Sequence, residues 1–342
     1  SSSTSSTSTS TSTLLLQSFL PSQENLAQFE FNTHQYVLNR LRQTAPNIIM
    51  LGFGNNDSSM NQNKKYNDPS LNIIDKEETP QHLPIFSFLI KCGQRFLHYN
   101  YVCAILNDLF GIQARGGCQC SGPYSQSLLG LTTWRDDGQE VPNQTNEKVE
   151  YALLHYKERA ELLRPGYTRL SLPFKGLKQE EVDYVIQALE WVAKNGWSMM
   201  CLYRCNHRTG EWRHFSRQGK PLGRSERRWL SYFDTSYGSQ NEISKESYKN
   251  NTNTNNDLEN SICHLSTFLD KSLANADAQL DIVRNDQRYV AQAIKMTDES
   301  NILGNNTGDD EELDELRWYV YPKECAKLLK DGATVVPDTN GN

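Results

Sequence analysis

The chain has 342 residues, of which 37% are hydrophobic, and its 35 basic and 41 acidic residues give a formal net charge of −6. The hydrophobic share is low for a globular chain, so we expect much of the length to lie outside a packed core. No stretch approaches about twenty consecutive apolar residues, and there is no basic block. The sequence therefore predicts neither a membrane span nor nucleic acid as the main partner.

The N-terminal part alternates between polar tracts and short apolar elements. A serine- and threonine-rich tail covers 1–22, and we expect it to be disordered. A helix is predicted over 23–43, with Leu26, Phe29, Val37 and Leu41 on one side, and a buried strand over 47–53. The asparagine-rich segment 54–81 is then expected to be a polar, disordered insertion between two elements that fit side by side.

A strand, a helix and a glycine-rich turn follow the insertion. Residues 83–90 form a short apolar run typical of a strand, and residues 91–94 interrupt it. Val102, Ile105, Leu106, Leu109 and Phe110 have the three- and four-residue spacing of one buried helix face. Gly111 is placed for a left-handed helix cap. An extended segment over 112–115 and a tight turn at Gly116-Gly117 then present Arg115, Cys118 and Cys120 within six residues.

The next hundred residues predict further elements of both kinds. We expect a loop over 131–144, a helix over 146–163, a strand over 167–174, an amphipathic helix over 178–195 that Gly196 ends, and a hairpin with arms 199–204 and 211–215. The order strand, helix, strand, helix predicts an α/β (α+β) domain over 23–215, in which a few-stranded sheet has helices on one face.

The C-terminal third is predominantly polar. Segment 216–314 is predicted to be a partly disordered or helical insertion, with low-complexity stretches at 250–256 and 305–312. Between those stretches, 258–296 has helical composition without a wide apolar stripe, which predicts a surface helix or a partner site. In the last segment, 315–342, we expect a strand over 316–321 and a helix from Pro322 to Leu329 that pack back on the domain.

Cysteine usage indicates a reducing, cytoplasmic location. There are eight cysteines, and Cys92, Cys103, Cys201, Cys263 and Cys325 lie in apolar settings typical of reduced core residues. Cys201 and Cys205 with His207 and His214 form a loose zinc pattern, but strand alternation explains them more simply, so no metal is predicted. A metal-chelating or disulfide-bonded Cys118-x-Cys120 pair is a minor alternative.

Several aromatic residues and one histidine have structural interpretations. Trp191, Trp197 and Trp212 are most simply core residues of the domain rather than an aromatic binding platform. His98 precedes the helix that follows the first long strand, so it is either a residue that caps this helix or a contact to a cofactor. The helix-start interpretation is the simpler one.

The run GIQARGGCQCSGPYSQSLLGL resembles the C-terminal portion of class V pyridoxal-phosphate enzymes, the aminotransferase and cysteine desulfurase group. The similarity extends over about 24–53, 83–130 and 145–215, and more weakly over 316–330. It implies the small C-terminal domain of a fold-type I pyridoxal-phosphate enzyme, acting on an amino acid by transamination or by removal of sulfur from cysteine. Enzymes of this group are typically homodimers.

The resemblance also implies roles for individual residues. The group's Arg-x-Gly-x-x-Cys turn puts Arg115 on the position that binds the substrate carboxylate and Cys120 on the position that accepts sulfur in desulfurases. Arg169 falls on a second arginine near the substrate, and Gly116 and Gly117 form the substrate-side turn. The chemistry is sound on its own, because a guanidinium binds a carboxylate through two parallel hydrogen bonds and a loop thiol beside it is a nucleophile.

The cofactor part of such an enzyme is missing from the sequence. No lysine has the context of the family's Schiff-base lysine; Lys91, before Cys92-Gly93, is the nearest imitation. We therefore expect that pyridoxal phosphate is not held covalently by this chain, and that an N-terminal cofactor domain belongs to a longer or split enzyme. The alternative is a non-catalytic remnant or interaction module that keeps the small-domain fold. The sequence does not identify the substrate.

Overall fold

The computed structural model describes residues 23–52, 83–135, 137–156, 160–172, 178–215, 254–299 and 313–333. The serine- and threonine-rich tail, the 54–81 insertion and the low-complexity stretch at 305–312 lie outside these residues, and of the stretch at 250–256 only 254–256 is described, as the start of a helix. Nine strands are described: β1 Ile48–Met50, β2 Ile85–Cys92, β3 Arg95–Leu97, β4 Arg115–Gly117, β5 Thr132–Trp134, β6 Glu140–Pro142, β7 Tyr167–Ser171, β8 Tyr203–Cys205 and β9 Trp212–His214. The helices in the same residues are α1 Gln23–Thr44, α2 Tyr99–Phe110, α3 Gly122–Leu128, α4 Gln144–His155, α5 Gln179–Met199, α6 Thr254–Asn285, α7 Gln287–Glu299 and α8 Pro322–Lys330.

The central sheet is antiparallel, with the strand order β1-β2-β7-β4, and β3 pairs with the end of β2. The mixed α/β architecture predicted from the sequence is confirmed. The strands expected over 47–53, 83–90 and 167–174 all form, and the two elements on either side of the 54–81 insertion do lie side by side. β3 was not predicted, because the interruption at 91–94 is a hairpin turn around Gly93, whose φ is +63°.

Helices cover one face of this sheet because the strands alternate in polarity. Phe86, Phe88, Ile90 and Cys92 of β2 are buried on that face, together with Thr168 and Leu170 of β7. α2 packs directly over them, and the Thr168 hydroxyl donates a hydrogen bond to the Tyr99 carbonyl. α5 packs beside α2, and α1 packs on α5. The opposite face carries Ser87 and Leu89 of β2 and Arg169 of β7.

Helix α2 has the two ends that the sequence predicted. His98 is its N-cap and accepts a hydrogen bond on Nδ1 from the Asn100 backbone N–H. Gly111 is its C-cap, with a left-handed φ of +67° that glycine adopts without steric cost. The predicted apolar face is buried in full. The three tryptophans expected in the core, Trp191, Trp197 and Trp212, are at most 8% exposed.

Three boundaries in the middle of the chain differ from the sequence expectation. Residues 131–144 form the β5–β6 hairpin with flanking turns rather than a loop alone, and α4 ends at His155 rather than at 163. Gly196 does not end α5, which continues to Met199. This glycine is a close-packing position: its carbonyl accepts a hydrogen bond from the Tyr101 hydroxyl, and a Cβ there would lie 3.3 Å from Leu97.

The C-terminal helices pack on the domain rather than lying apart from it. α6 contacts α2 and α5, and α7 contacts α8. The helix expected within 258–296 forms as α6 and α7, and its packing on the domain was not predicted. Its buried residues are Ala276, Leu280, Val283, Val290 and Ala293. The Trp191 indole N–H donates to Asp277 of α6.

The strand expected over 316–321 is wrong, although the helix starting at Pro322 is confirmed. Only a single bridge forms, between Tyr319 and Phe96 of β3. The backbone here is fixed by the buried side chain of Arg317, which donates to the Tyr319 carbonyl and to both carboxylate oxygens of Glu324. Within the part of the chain that the structure describes, no helix combines the length and apolarity needed to cross a membrane.

Candidate functional site

The glycine-rich turn packs closely against the start of α2. A Cβ on Gly116 would lie 2.6 Å from the Tyr99 ring and 2.7 Å from Oδ1 of Asn100, distances that real Cβ atoms essentially never show. Asn100 is held by its own hydrogen bond to the Gly210 carbonyl. Only glycine therefore fits position 116 unless the start of α2 shifts.

Gly117 is required for a different reason. Its φ is +111°, a conformation that side chains rarely adopt, whereas the space around it is open. Gly166, just before β7, packs against it, because a Cβ on Gly166 would lie 2.7 Å from the Gly117 Cα. Its close approach to Gly117 brings the short edge strand β4 against β7.

The turn that follows β4 contains two strained residues. Gln119 and Cys120 have φ values of +55° and +61°, and within the described residues they are the only non-glycine residues with positive φ. Such conformations persist only where the surroundings fix them, and they concentrate at functional sites. Here the side-chain amide of Gln119 donates a hydrogen bond to the Arg115 carbonyl at 3.2 Å, and the Ser125 hydroxyl donates one to the Cys118 carbonyl at 2.7 Å.

This turn places the side chain of Cys120 in contact with that of Arg115. Nη2 of Arg115 donates to Sγ of Cys120 at 3.0 Å, and both residues are exposed. The contact places a positive charge beside an exposed thiol, and reactive cysteines are typically found in such electropositive, accessible surroundings. The two residues that the resemblance singled out are therefore in contact. Cys118 is half-buried, and neither it nor Cys120 is in a disulfide.

Arg115 and Arg169 occupy directly opposite positions on β4 and β7. Directly opposite residues of an antiparallel pair point to the same face, with Cβ atoms about 5 Å apart. Arg169 is in turn opposite Ser87 of β2. Ser87, Arg169 and Arg115 thus form one transverse row on the sheet face that α2 and α5 leave open. We refer to these three residues as the arginine row.

The two arginines of this row have no counter-ion within the described residues. No Asp or Glu side chain there forms an ion pair with either guanidinium, whereas Arg317 and Arg95 each pair with Glu324. Arg169 is half-buried and Arg115 is exposed. Helix α3 covers the neighbouring position on the same face, where Ser125 contacts the Tyr167 hydroxyl. The row is therefore a cationic strip beside a short helix.

The sheet residues do not fit covalent binding of pyridoxal phosphate. The only lysine in the described strands of the central sheet is Lys91, which is exposed. It lies four residues along β2 from Ser87, a separation of about 13 Å. Arg115, Arg169 and Cys120 have the chemistry to bind a carboxylate and to present a thiol, but not to hold an aldehyde cofactor.

The zinc alternative finds no support in the described residues, where no three His, Cys, Asp or Glu side chains are grouped as metal ligands. Burial raises the pKa of Cys201 and of Cys205 to about 12. Of the five cysteines expected in or near the core, Cys92, Cys201 and Cys325 are buried and Cys103 is half-buried, all as free thiols. The side chain of Cys263 lies outside the described residues.

His98 is fully buried among four aromatic rings, those of Tyr99, Trp212, Trp318 and Tyr319. Burial lowers its pKa to about 3, so the imidazole is neutral at physiological pH. Its N-cap hydrogen bond confirms the helix-start interpretation.

Sequence reasoning missed Ser87, Gln119 and Gly166 as parts of this site. Alternation along 83–92 places Ser87 opposite to Phe86 and Phe88, so the polar side of β2 was readable from the sequence. The pairing of Arg115 with Arg169 was not readable, because strand register depends on contacts between distant segments.

No protein-family model, no curated protein and no solved structure matches this chain.

Proposed function

We propose that this chain is the C-terminal, small-domain part of a class V pyridoxal-phosphate enzyme, an aminotransferase or cysteine desulfurase acting on an amino acid. The observation that carries the proposal is the arginine row with Cys120 hydrogen-bonded to Arg115. Arg115 and Arg169 are 54 positions apart in the sequence, and the family resemblance implies a substrate contact for both. Their opposition on β4 and β7 supports a common role.

Arg115 would bind the substrate carboxylate. A guanidinium has five N–H donors in a planar fork, so one Nη2 hydrogen can stay on Cys120 while Nε and Nη1 remain available. A charge-assisted hydrogen-bonded contact contributes about 1.5–3 kcal/mol. We therefore expect the chain alone to bind carboxylates weakly, with dissociation constants of about 1–100 mM.

Cys120 would be the sulfur acceptor if the reaction is desulfuration. Its exposure, its strained φ and its contact with Arg115 support a reactive thiol rather than a packing residue. In an aminotransferase the same thiol would only line the substrate site. The contact between Arg115 and Cys120 is compatible with both reactions.

The cofactor would come from a polypeptide segment or partner subunit that carries the Schiff-base lysine. When bound, pyridoxal phosphate supplies the electron sink for bond breaking at the amino acid. The described residues contribute the carboxylate site and the thiol, and no step through the cofactor is derived from them. Homodimer formation and a cytoplasmic location belong to the same proposal, and the free thiols of the described residues fit a reducing compartment.

A native purification tests this proposal. The tagged chain is isolated with its bound partners from cells that express it naturally, treated with borohydride, and searched by mass spectrometry for lysine-linked pyridoxal phosphate. We expect one labelled lysine on an associated polypeptide or on a longer form of this chain. Absence of pyridoxal phosphate, together with absence of amino-acid turnover, would contradict the proposal.

The two reactions are separated in the same assembly by Cys120→Ala, with Cys118→Ala as the matched control two residues away. Loss of sulfide release from cysteine in Cys120→Ala alone identifies a desulfurase. Unchanged turnover in both variants identifies an aminotransferase.

A non-catalytic interaction module is the second candidate, and the exposed, isolated position of Lys91 on the described sheet is the observation that favours it. Recovery of a stable partner without cofactor in the purification above would establish it.

A further inference from the structure

The arginine row contains more positive charge than one carboxylate needs. Like charges placed directly opposite each other on a sheet destabilise it. Arg115 and Arg169 nevertheless face each other without an acidic partner in the described residues, in a chain whose net charge is −6. A ligand with one negative charge would neutralise only one of these two positive charges.

Ser87 adds a third polar group to the row. It is half-buried, directly opposite Arg169, on the strand next to β7. Neighbouring strands are about 4.8 Å apart, so the Cα atoms of Arg115, Arg169 and Ser87 lie at regular intervals across about 10 Å, with their side chains on the same face. The hydroxyl can donate to the same anionic group that Arg169 binds.

The geometry points to a substrate with two carboxylates, an acidic amino acid of the aspartate or glutamate type. This inference rests on the proposed function and specifies its substrate class. Arg115 binds the α-carboxylate, beside Cys120. Arg169 and Ser87 bind the side-chain carboxylate one strand away, at a separation that a short diacid spans. Ser87 and Arg169 then determine specificity, whereas Arg115 is needed for every amino acid.

A titration of the purified chain with succinate and with acetate, followed by NMR amide shifts, tests this division of roles. We expect succinate to bind at least about 10-fold more tightly than acetate, the equivalent of one additional charged hydrogen-bonded contact. Arg169→Gln is expected to lower the affinity for succinate to that for acetate, and to leave the affinity for acetate unchanged. Ser87→Ala is expected to weaken the binding of succinate by about 3- to 10-fold and to leave the binding of acetate unchanged.

Ser171→Ala is the matched control. Ser171 lies two residues along β7 from Arg169, on the same face but outside the row, and is opposite Ile85. It is expected to change neither affinity by more than about 2-fold. Arg169→Lys, which keeps the charge without the fork, and a thermal unfolding curve for each variant separate loss of the site from loss of the fold.

The outcomes distinguish this inference from the proposed function. Equal affinity for succinate and acetate, with both lost in Arg115→Gln, overturns the diacid assignment and leaves the carboxylate site at Arg115 intact. Tighter binding of inorganic phosphate than of succinate also overturns it. Binding of neither acid contradicts both.

Discussion

Nη2 of Arg115 donates a hydrogen bond to Sγ of Cys120 at 3.0 Å, across a turn in which Gln119 and Cys120 both have positive φ. The contact depends on that strained backbone, because an extended chain would direct Cys120 away from the arginine. A guanidinium and an exposed thiol are thus held together by a conformation that is costly by about 1–3 kcal/mol per residue.

Cys120 is expected to be the fastest-reacting of the described cysteines toward iodoacetamide. It is the only exposed one, and burial raises the pKa of Cys103, Cys201 and Cys205 to about 12, so those thiols stay protonated. Time-resolved alkylation followed by peptide mass spectrometry measures the reaction rate of each cysteine.

Arg115→Gln is expected to slow alkylation of Cys120 about 3-fold or more, because the variant removes the positive charge beside this exposed thiol, and electropositive surroundings are typical of reactive cysteines. Arg42→Gln, at an exposed position in the last turn of α1, is the control and should leave the rate unchanged. An Arg115→Gln rate equal to wild type would show that the contact does not control the thiol.

Gly116→Ala is expected to destabilise the fold by about 1–3 kcal/mol, because the new methyl group would meet Tyr99 and Asn100 at 2.6 and 2.7 Å. Gly122→Ala is the matched control, since nothing lies within 4 Å of a Cβ there and no positive φ is involved. Denaturant unfolding measures both. Equal stability of the two variants would contradict the close packing of the turn on α2.

The sequence predicted the elements of the domain better than their pairing. Apolar alternation and helical spacing located β1, β2, β7, α2 and the body of α5, because those signals are local. The β5–β6 hairpin was missed because its strands are short and exposed, with Trp134 48% exposed. Gly196 was misjudged because a helix-ending glycine and a close-packing glycine look the same until the neighbouring element is known.

His98 is expected to make the protein acid-sensitive. Its pKa is about 3 in the folded state and about 6.5 when unfolded, so between these values the unfolded chain binds more protons. The free energy of unfolding should therefore fall as pH falls through this range, by up to about 1.4 kcal/mol per pH unit.

The variant His98→Asn retains an N-capping side chain but does not titrate, so its stability should depend less on pH between 3 and 6.5. His155→Asn, at an exposed position in the last turn of α4, is the control and should keep the wild-type slope. A wild-type slope in His98→Asn would contradict the burial of this histidine as the cause.

Glu324→Gln is expected to lower the free energy of unfolding by about 2 kcal/mol. Both Glu324 carboxylate oxygens accept hydrogen bonds from Arg317, whose side chain is only 5% exposed, and one also accepts from Arg95. The change removes a charged partner from a buried guanidinium. Glu315→Gln, at an exposed neighbouring position, should change stability by less than about 0.5 kcal/mol.

Arg115, Cys120 and Arg169 were predicted as candidate-site residues, but Ser87 and the arrangement of the row were not. The motif around Arg115 and Cys120 is contiguous in the sequence, so a resemblance could single it out. The row formed with Arg169 and Ser87 depends on the register of three strands drawn from residues 85–171. The close approach of Gly166 to Gly117 was likewise not predictable, because it depends on how two segments distant in the sequence pack together.

A carboxylate titration of Arg115→Gln is the most direct test of the claim that Arg115 binds the substrate carboxylate. The wild-type chain, Arg115→Gln and the control Arg42→Gln are each titrated with L-alanine, and the backbone amide shifts of residues 115–121 are followed by NMR. We predict saturable shifts with a dissociation constant of about 1–100 mM in the wild type and in Arg42→Gln, and at least about 10-fold weaker binding in Arg115→Gln. Identical titrations of all three proteins, or shifts confined to residues away from this turn, would contradict carboxylate binding by Arg115.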